Sequence, residues 1–221
     1  MRPNPAHYYI PHFILHFHSL LVCIYEIPMK KLEERILKDG ILIEDRILKV
    51  DSFINYQIDV ELTNEMGLEF ARIFKYCGAT KVLTVETSGL PLAYAVARHL
   101  GDLPLLFAKK NKPNTNIDED YCAEVRSFTK EVVNQIRVPK KYLNAGEKVL
   151  IIDDFLASGA ASLGLLDLID QAGATCVGVG VAVEKEFQGG RALLEKRGLR
   201  VVSLAHITKM QDGKIEFHYT E

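Results

Sequence analysis

The residues best suited to chemistry lie between Val149 and Ala161, in the run VLIIDDFLASGAA. Two adjacent carboxylates, Asp153 and Asp154, follow an apolar stretch, and the small residues Ala157, Ser158, Gly159, Ala160 and Ala161 open what comes next. Small side chains at the start of a helix let backbone N–H groups approach an anion, and the helix dipole favours its charge. Neighbouring carboxylates can hold the hydroxyls of a sugar. Strand-end acids and small caps are each common on their own. Taken in order, the strand, the two acids and the small-residue turn read as a cradle for a sugar phosphate.

Such a cradle must be built at the end of a sheet. Strand-like runs at Lys81 to Val85, Leu103 to Ala108, Val149 to Ile152, Thr175 to Val183 and Val201 to Ile207 alternate with helical stretches at Leu90 to Leu100, Ala161 to Ala172 and about Gly190 to Lys196. This alternation predicts an α/β fold with a mostly parallel sheet covered by helices on both faces. Upstream, KKLEERILKDG after Met29 places Leu32, Ile36 and Leu37 on one side of a first helix. Short extended pieces at Ile41 to Ile43 and Ile47 to Val50 flank a polar turn and suggest a small cap. Asp59 then opens a helix carrying Leu62, Met66, Phe70 and Phe74, which ends near Gly78. Alternating runs at Cys122 to Thr129 and Glu131 to Val138 predict an antiparallel hairpin on a sheet edge, and Ile215 to Tyr219 closes the chain. The polar stretch from Lys109 to about Asp120 is expected to be mobile. Ligands of open α/β sheets bind beyond the carboxyl ends of the strands. Glu86 to Gly89, Lys109 to Lys112, Asp153 to Ser162 and Glu184 to Phe187 should therefore face one crevice.

Composition narrows the function classes. With 221 residues, 48% of them hydrophobic and 25% charged, the chain suits one well-buried domain with an appendage. A formal net charge of −2 leaves no polyanion footprint, which argues against nucleic acid as the main partner. Cys23, Cys77, Cys122 and Cys176 form no CxxC pair, so neither a zinc ribbon nor a redox motif is expected. They read as small, partly buried hydrophobes in a reducing compartment. Residues 1–28 stand apart: they hold His7, His12, His16 and His18 at spacings that match no standard metal site. Their apolar stretch, Phe13 to Tyr25, is too short to span a bilayer and lacks a small-residue cleavage site. The expectation is a non-native or disordered extension ahead of a domain at 29–221, with no membrane partner; the alternative for the first 28 residues is an uncleaved membrane-associating segment.

With these segments in place, the body of the chain from Met29 to about Tyr219 resembles the bacterial xanthine phosphoribosyltransferases, of the type I phosphoribosyltransferase family. Beyond the diacid turn, the resemblance rests on LKVDSFINYQID at 48–59, VETSG at 85–89, SFTK at 127–130 and VEKEFQGGR at 183–191. It implies the type I fold, with a small hood built from the two ends of the chain. It also implies a cytoplasmic purine-salvage enzyme, a homodimer, that converts xanthine and 5-phosphoribosyl 1-pyrophosphate (PRPP) to xanthosine 5′-monophosphate and pyrophosphate with Mg2+. The family commonly has Asn before Gly in the phosphate turn; here Ser158 stands there, still offering a backbone N–H and a hydroxyl.

Site roles follow from that resemblance and from the chemistry. Asp153 and Asp154 would be the catalytic acids, holding the ribose hydroxyls and favouring a positively charged ring, with Asp154 assisting the purine nitrogen that attacks. Ala157 to Ala161, together with Glu86, Ser88 and Gly89, would bind PRPP, Gly89 tolerating a strained conformation. Lys109, Lys110 and Lys112 are candidates to neutralise the departing pyrophosphate. Leu48, Asn55 and Lys185 would meet xanthine, Lys185 as a donor toward the second carbonyl, with Phe155 or Phe187 as an aromatic face. Magnesium would be held mainly through substrate phosphates, with Asp153 as its protein ligand. Other readings are a transferase for guanine, hypoxanthine or adenine, or a non-catalytic PRPP sensor of the same fold; a DNA-binding sensor would need a basic module that the first 28 residues do not supply.

Overall fold

A computed structural model describes residues 28–110, 119–126 and 133–218. The extension at 1–27, Lys112 and the SFTK run lie outside the described residues, as does most of the polar stretch expected to be mobile.

Strands β3 (Lys81–Val85), β4 (Leu105–Ala108), β7 (Lys148–Leu156), β8 (Thr175–Lys185), β9 (Val201–Gln211) and β10 (Lys214–Phe217) form one six-stranded sheet in the order β10-β9-β8-β7-β3-β4. All neighbours are parallel except the terminal β9–β10 pair. Alternation along β7 explains how both faces are buried. Leu150 and Ile152 join one core with α2 (Val60–Phe74) and α3 (Leu90–His99), while Val149 and Ile151 join a second core with α4 (Ala160–Gln171). Asp59 caps α2 by accepting the Leu62 N–H at 3.1 Å, as the sequence position before the apolar pattern predicts.

The order of strands fixes where a ligand fits. From β3 the chain crosses to β4 on one side, whereas from β7 it crosses to β8 on the other, and α3 and α4 pack on opposite faces. The turns after β3 and β7 therefore part from each other at a topological switch point and leave a crevice between them.

Two smaller ribbons flank the sheet. The hairpin of β5 (Asp120–Arg126) and β6 (Val133–Pro139) touches the sheet edge through a single bridge, Lys109 with Arg137, and otherwise lies across α4. The cap expected near the N-terminus comprises α1 (Lys30–Asp39) and a β1 (Ile41–Ile43) to β2 (Ile47–Lys49) hairpin. Its turn is tied to the other end of the chain, because the Asp45 carboxylate accepts the N–H groups of Asp212 and Gly213 at 2.8 and 2.9 Å. Between the cap and α2 the chain makes a π-helical turn, Asp51–Asn55, for which the sequence offers no periodic signal.

Helix α2 lies directly on β8 because Gly178 and Gly180 present no side chain there. A Cβ at Gly180 would stand 2.8 Å from Ile152 Cδ1 and 2.9 Å from Phe70 Cε1. Gly180→Ala is expected to cost about 1–3 kcal/mol through overpacking, read as a lowered urea midpoint with an unchanged slope.

Candidate active site

Strand β7 does not stop before the acids, as the apolar run alone suggests; it continues through them to Leu156. Strand β8 supplies the reason, running alongside to pair Asp153 with Val181, Phe155 with Val183 and Leu156 with Glu184. Both acids are thereby held in extended backbone at the switch point, Asp153 only 3% and Asp154 8% exposed. The Asp154 N–H donates to Asp153 Oδ1 at 3.0 Å. Among the described residues neither carboxylate has a salt bridge. Burial first, then the neighbouring Asp154 charge, push the Asp153 carboxyl well above the ordinary aspartate range, with Lys110 pulling the other way.

The turn after β3 closes over Asp153 from one side. A Cβ at Gly89 would fall 2.3 Å from Thr84 Oγ1 and 2.6 Å from Asp153 Oδ1. Gly89 has φ −71°, an ordinary helical value, so its need for glycine is steric and the expected strained conformation is not found. The Glu86–Thr87 peptide bond in this turn is cis. Ser88 does not cap α3, and the N–H groups of Thr87, Ser88 and Gly89 have no acceptor among the described residues. The Glu86 carboxylate accepts the Lys110 N–H at 2.7 Å and so ties the end of β4 to the turn.

From the other side comes the turn after β7. Gly159 adopts φ +82°, the left-handed region glycine favours, and starts α4 with no side-chain cap. The N–H groups of Ser158, Gly159, Ala160, Ala161 and Ser162 have no acceptor among the described residues. Unpaired donors at a helix start with small side chains form an anion cradle. Ala157 to Ser162, Phe155, Lys110 and Gln188 line a cleft of about 330 Å³.

Behind the cradle sits a support that pattern reading missed. Gly190, at the start of α5 (Gly190–Glu195), donates to the Ala157 carbonyl at 3.0 Å, and a Cβ there would lie 2.5 Å from that oxygen and 2.7 Å from Gly159 N. Arg191 grips the fully buried Glu184 with two prongs, 2.8 Å from Nε and 2.6 Å from Nη2, and donates to the Val201 carbonyl and the Ser203 hydroxyl. Burial raises the Glu184 carboxyl, but the Arg191 contacts outweigh it and hold the group below its usual value. The Gly189-Gly190 pair within the 183–191 run was the available signal.

The remaining expected residues are distributed as follows. Lys109 is not brought to the crevice: successive side chains alternate at the strand end, so it lies over Phe107 and lines a separate groove with Lys81 and Arg137, while Lys110 faces the acids. Lys185 is 9% exposed, with Nζ 5.5 Å from the Phe155 ring centre and 3.3 Å from the Arg46 carbonyl of the cap; burial lowers its ammonium below the ordinary lysine value. Asn55 ends the π-helical turn with Oδ1 shielded and without a hydrogen-bond partner among the described residues. Leu48, on β2 of the cap, turns into the core and is buried there, and Phe187 is half exposed on the turn after β8.

A family model described as the phosphoribosyl transferase domain matches residues 71–192, which span the diacid and both turns. The chain belongs to the phosphoribosyltransferase family. Among its relatives, xanthine phosphoribosyltransferase 2 of Clostridium botulinum (strain Hall) is 52% identical over 190 residues, 86% of this chain and 100% of that protein. Xanthine phosphoribosyltransferase of Lactobacillus delbrueckii subsp. bulgaricus is 50% identical over the same shares. The fold is that of type I phosphoribosyltransferases. The structure of adenine phosphoribosyltransferase from Giardia lamblia superposes with a TM-score of 0.65 at 20% identity, covering 80% of this chain and 97% of that one. That level of identity speaks to fold alone.

Asp153 yields a pH prediction. The unfolded chain ionises this carboxyl at its ordinary value and the folded protein only at higher pH, so stability falls as pH rises through that interval. Above it the ionised, buried Asp153 is a standing cost. Asp153→Asn should therefore abolish turnover and raise stability at pH 7 by on the order of 1 kcal/mol. Chemical denaturation from pH 5 to 8 should show the gap from wild type widening with pH.

Proposed function

We propose that the protein transfers the phosphoribosyl group of PRPP to xanthine, giving xanthosine 5′-monophosphate and pyrophosphate, as a purine-salvage step. The observation that carries this reading is the pair of donor-lined turns facing each other across a buried diacid at the switch point, in a chain 52% identical to a xanthine phosphoribosyltransferase. The cradle at 158–162 suits the 5-phosphate of the sugar, and the unpaired N–H groups at 87–89 suit pyrophosphate.

In the reaction a purine ring nitrogen bonds to the anomeric carbon as the bond to the pyrophosphate oxygen breaks, and the nitrogen loses its proton. Positive charge grows on the ribose ring and negative charge on the leaving group, so the protein acts by positioning and electrostatics. Asp153 and Asp154 hold the ribose hydroxyls and favour the cationic ring, and Asp154 takes up the purine proton. Lys110 draws charge off the departing pyrophosphate. Magnesium suits the donor set, since it takes few protein ligands and Asp153 has no ion-pair partner among the described residues. Asp153 would hold it, and the ion would neutralise pyrophosphate charge.

For the base, Lys185 donates where xanthine carries a carbonyl and guanine an amino group, and the shielded Asn55 Oδ1 offers an acceptor to a purine N–H. Phe155 provides a ring face beside it. Leu48 shapes that end from the core, and Phe187 borders it. We further propose a cytoplasmic homodimer. Among the described residues, no helix is long and apolar enough to cross a membrane.

Two assays test the proposal. With PRPP and Mg2+, xanthine should outrun guanine, hypoxanthine and adenine in product formation; turnover of another base alone would reassign the substrate. Lys185→Gln should lower kcat/KM for xanthine by about tenfold or more relative to guanine, the size of one lost charged hydrogen bond. Equal loss for both bases would remove Lys185 from base recognition.

A further inference from the structure

On the α5 face of the sheet, beyond the diacid crevice, three ligand-type side chains meet that the transfer reaction does not use. His206 lies on β9 opposite Glu184, His218 follows β10, and Glu186 begins the 3-10 turn after β8. Their ligand atoms all lie within 4.8 Å of one another. The two imidazoles stack with ring centres 5.1 Å apart and planes 23° apart, and the His218 backbone N–H donates to the His206 carbonyl at 2.8 Å, which fixes their separation.

His206 Nε2 distinguishes this group from a chance surface cluster. The atom is shielded from solvent and makes no hydrogen bond among the described residues, although Glu186 Oε2 stands 3.1 Å away and Glu184 Oε1 3.8 Å away. Glu184 is already committed to Arg191. A shielded ring nitrogen without a hydrogen bond among the described residues, with a carboxylate and a second imidazole beside it, suits a shared cation, which would satisfy all three groups at once.

We propose that Glu186, His206 and His218 bind a zinc-class divalent cation. Two imidazoles and one carboxylate favour a borderline metal over magnesium or calcium, and three protein ligands leave a fourth position for water. Tetrahedral coordination with bonds near 2.0 Å spaces its ligand atoms roughly 3.3 Å apart. The exposed Glu186 and His218 side chains would have to draw in from the present separations, which are within 4.8 Å. The bound ion would pin the turn bearing Phe187 and Gln188, a residue that lines the crevice, to β9 and to the end of β10. The inference stands on these residues alone and not on the identity of the substrate.

The test uses the full chain with His7, His12, His16 and His18 replaced by Gln, so that the N-terminal histidines cannot contribute. Titration with Co2+ should develop visible ligand-field absorption at one equivalent, and excess Zn2+ should quench it. His218→Ala, at an exposed position, should weaken Zn2+ binding by more than about tenfold, since changes even behind a metal's own ligands cost that much. Glu186→Gln should weaken it in the same direction. Zn2+ should raise the melting temperature of the parent but not of His218→Ala. Absence of the cobalt band, or Zn2+ affinity unchanged in both single variants, would overturn the proposal.

Discussion

A carboxylate kept almost dry beside a second carboxylate is the constraint on which the site depends. Burying an acid without a partner costs several kcal/mol, and proteins normally respond by pairing it or leaving it protonated. Around Asp153 the sheet offers apolar strands, the Thr84 hydroxyl, which has no hydrogen-bond partner among the described residues, and the bare Gly89 backbone, none of which carries positive charge. Among the described residues, positive charge reaches it only from Lys110 at the end of β4, which does not offset the burial. The parting of the chain at β3 and β7 then decides the rest, because it sets two helix-starting turns of opposite face around that buried pair of acids.

Glu184 provides the contrast that makes this argument sharper. It too is a buried acid near the end of a strand, one strand away from the diacid, yet Arg191 meets it in a bidentate contact and holds it ionised. One acid is satisfied from within and anchors α5 behind the turn after β7; the other has no salt bridge among the described residues. Equal burial with opposite partnering separates scaffold from chemistry more clearly than residue type does.

Much of this was readable in the chain itself. The alternation of apolar runs with helical spacing yields the parallel sheet, and the diacid with its small-residue turn marks the crevice, because both follow from local periodicity and steric size. Features that depend on a distant neighbour were not readable. The continuation of β7 through Asp153 and Asp154 requires β8 alongside, and the need for glycine at 89 comes from a carboxylate 64 positions later in the sequence. Lys109 and Lys110 are indistinguishable by composition, and only the pleat at the end of β4 turns one toward the acids and the other away. The convergence of Glu186, His206 and His218 likewise needs the β9–β10 pairing before it exists.

The clasp between Asp45 and the β9–β10 turn bears on how the molecule is made. Synthesis runs from the N-terminus, and domains fold as their parts emerge. The cap hairpin leaves the ribosome before the N–H groups that seat its turn, those of Asp212 and Gly213, which arrive 167 and 168 residues later. The turns at 86–89 and 157–162 both precede those N–H groups in the chain. The clasp on the cap therefore closes only after the sheet strands β3, β7 and β8 and both turns at the crevice have been synthesised.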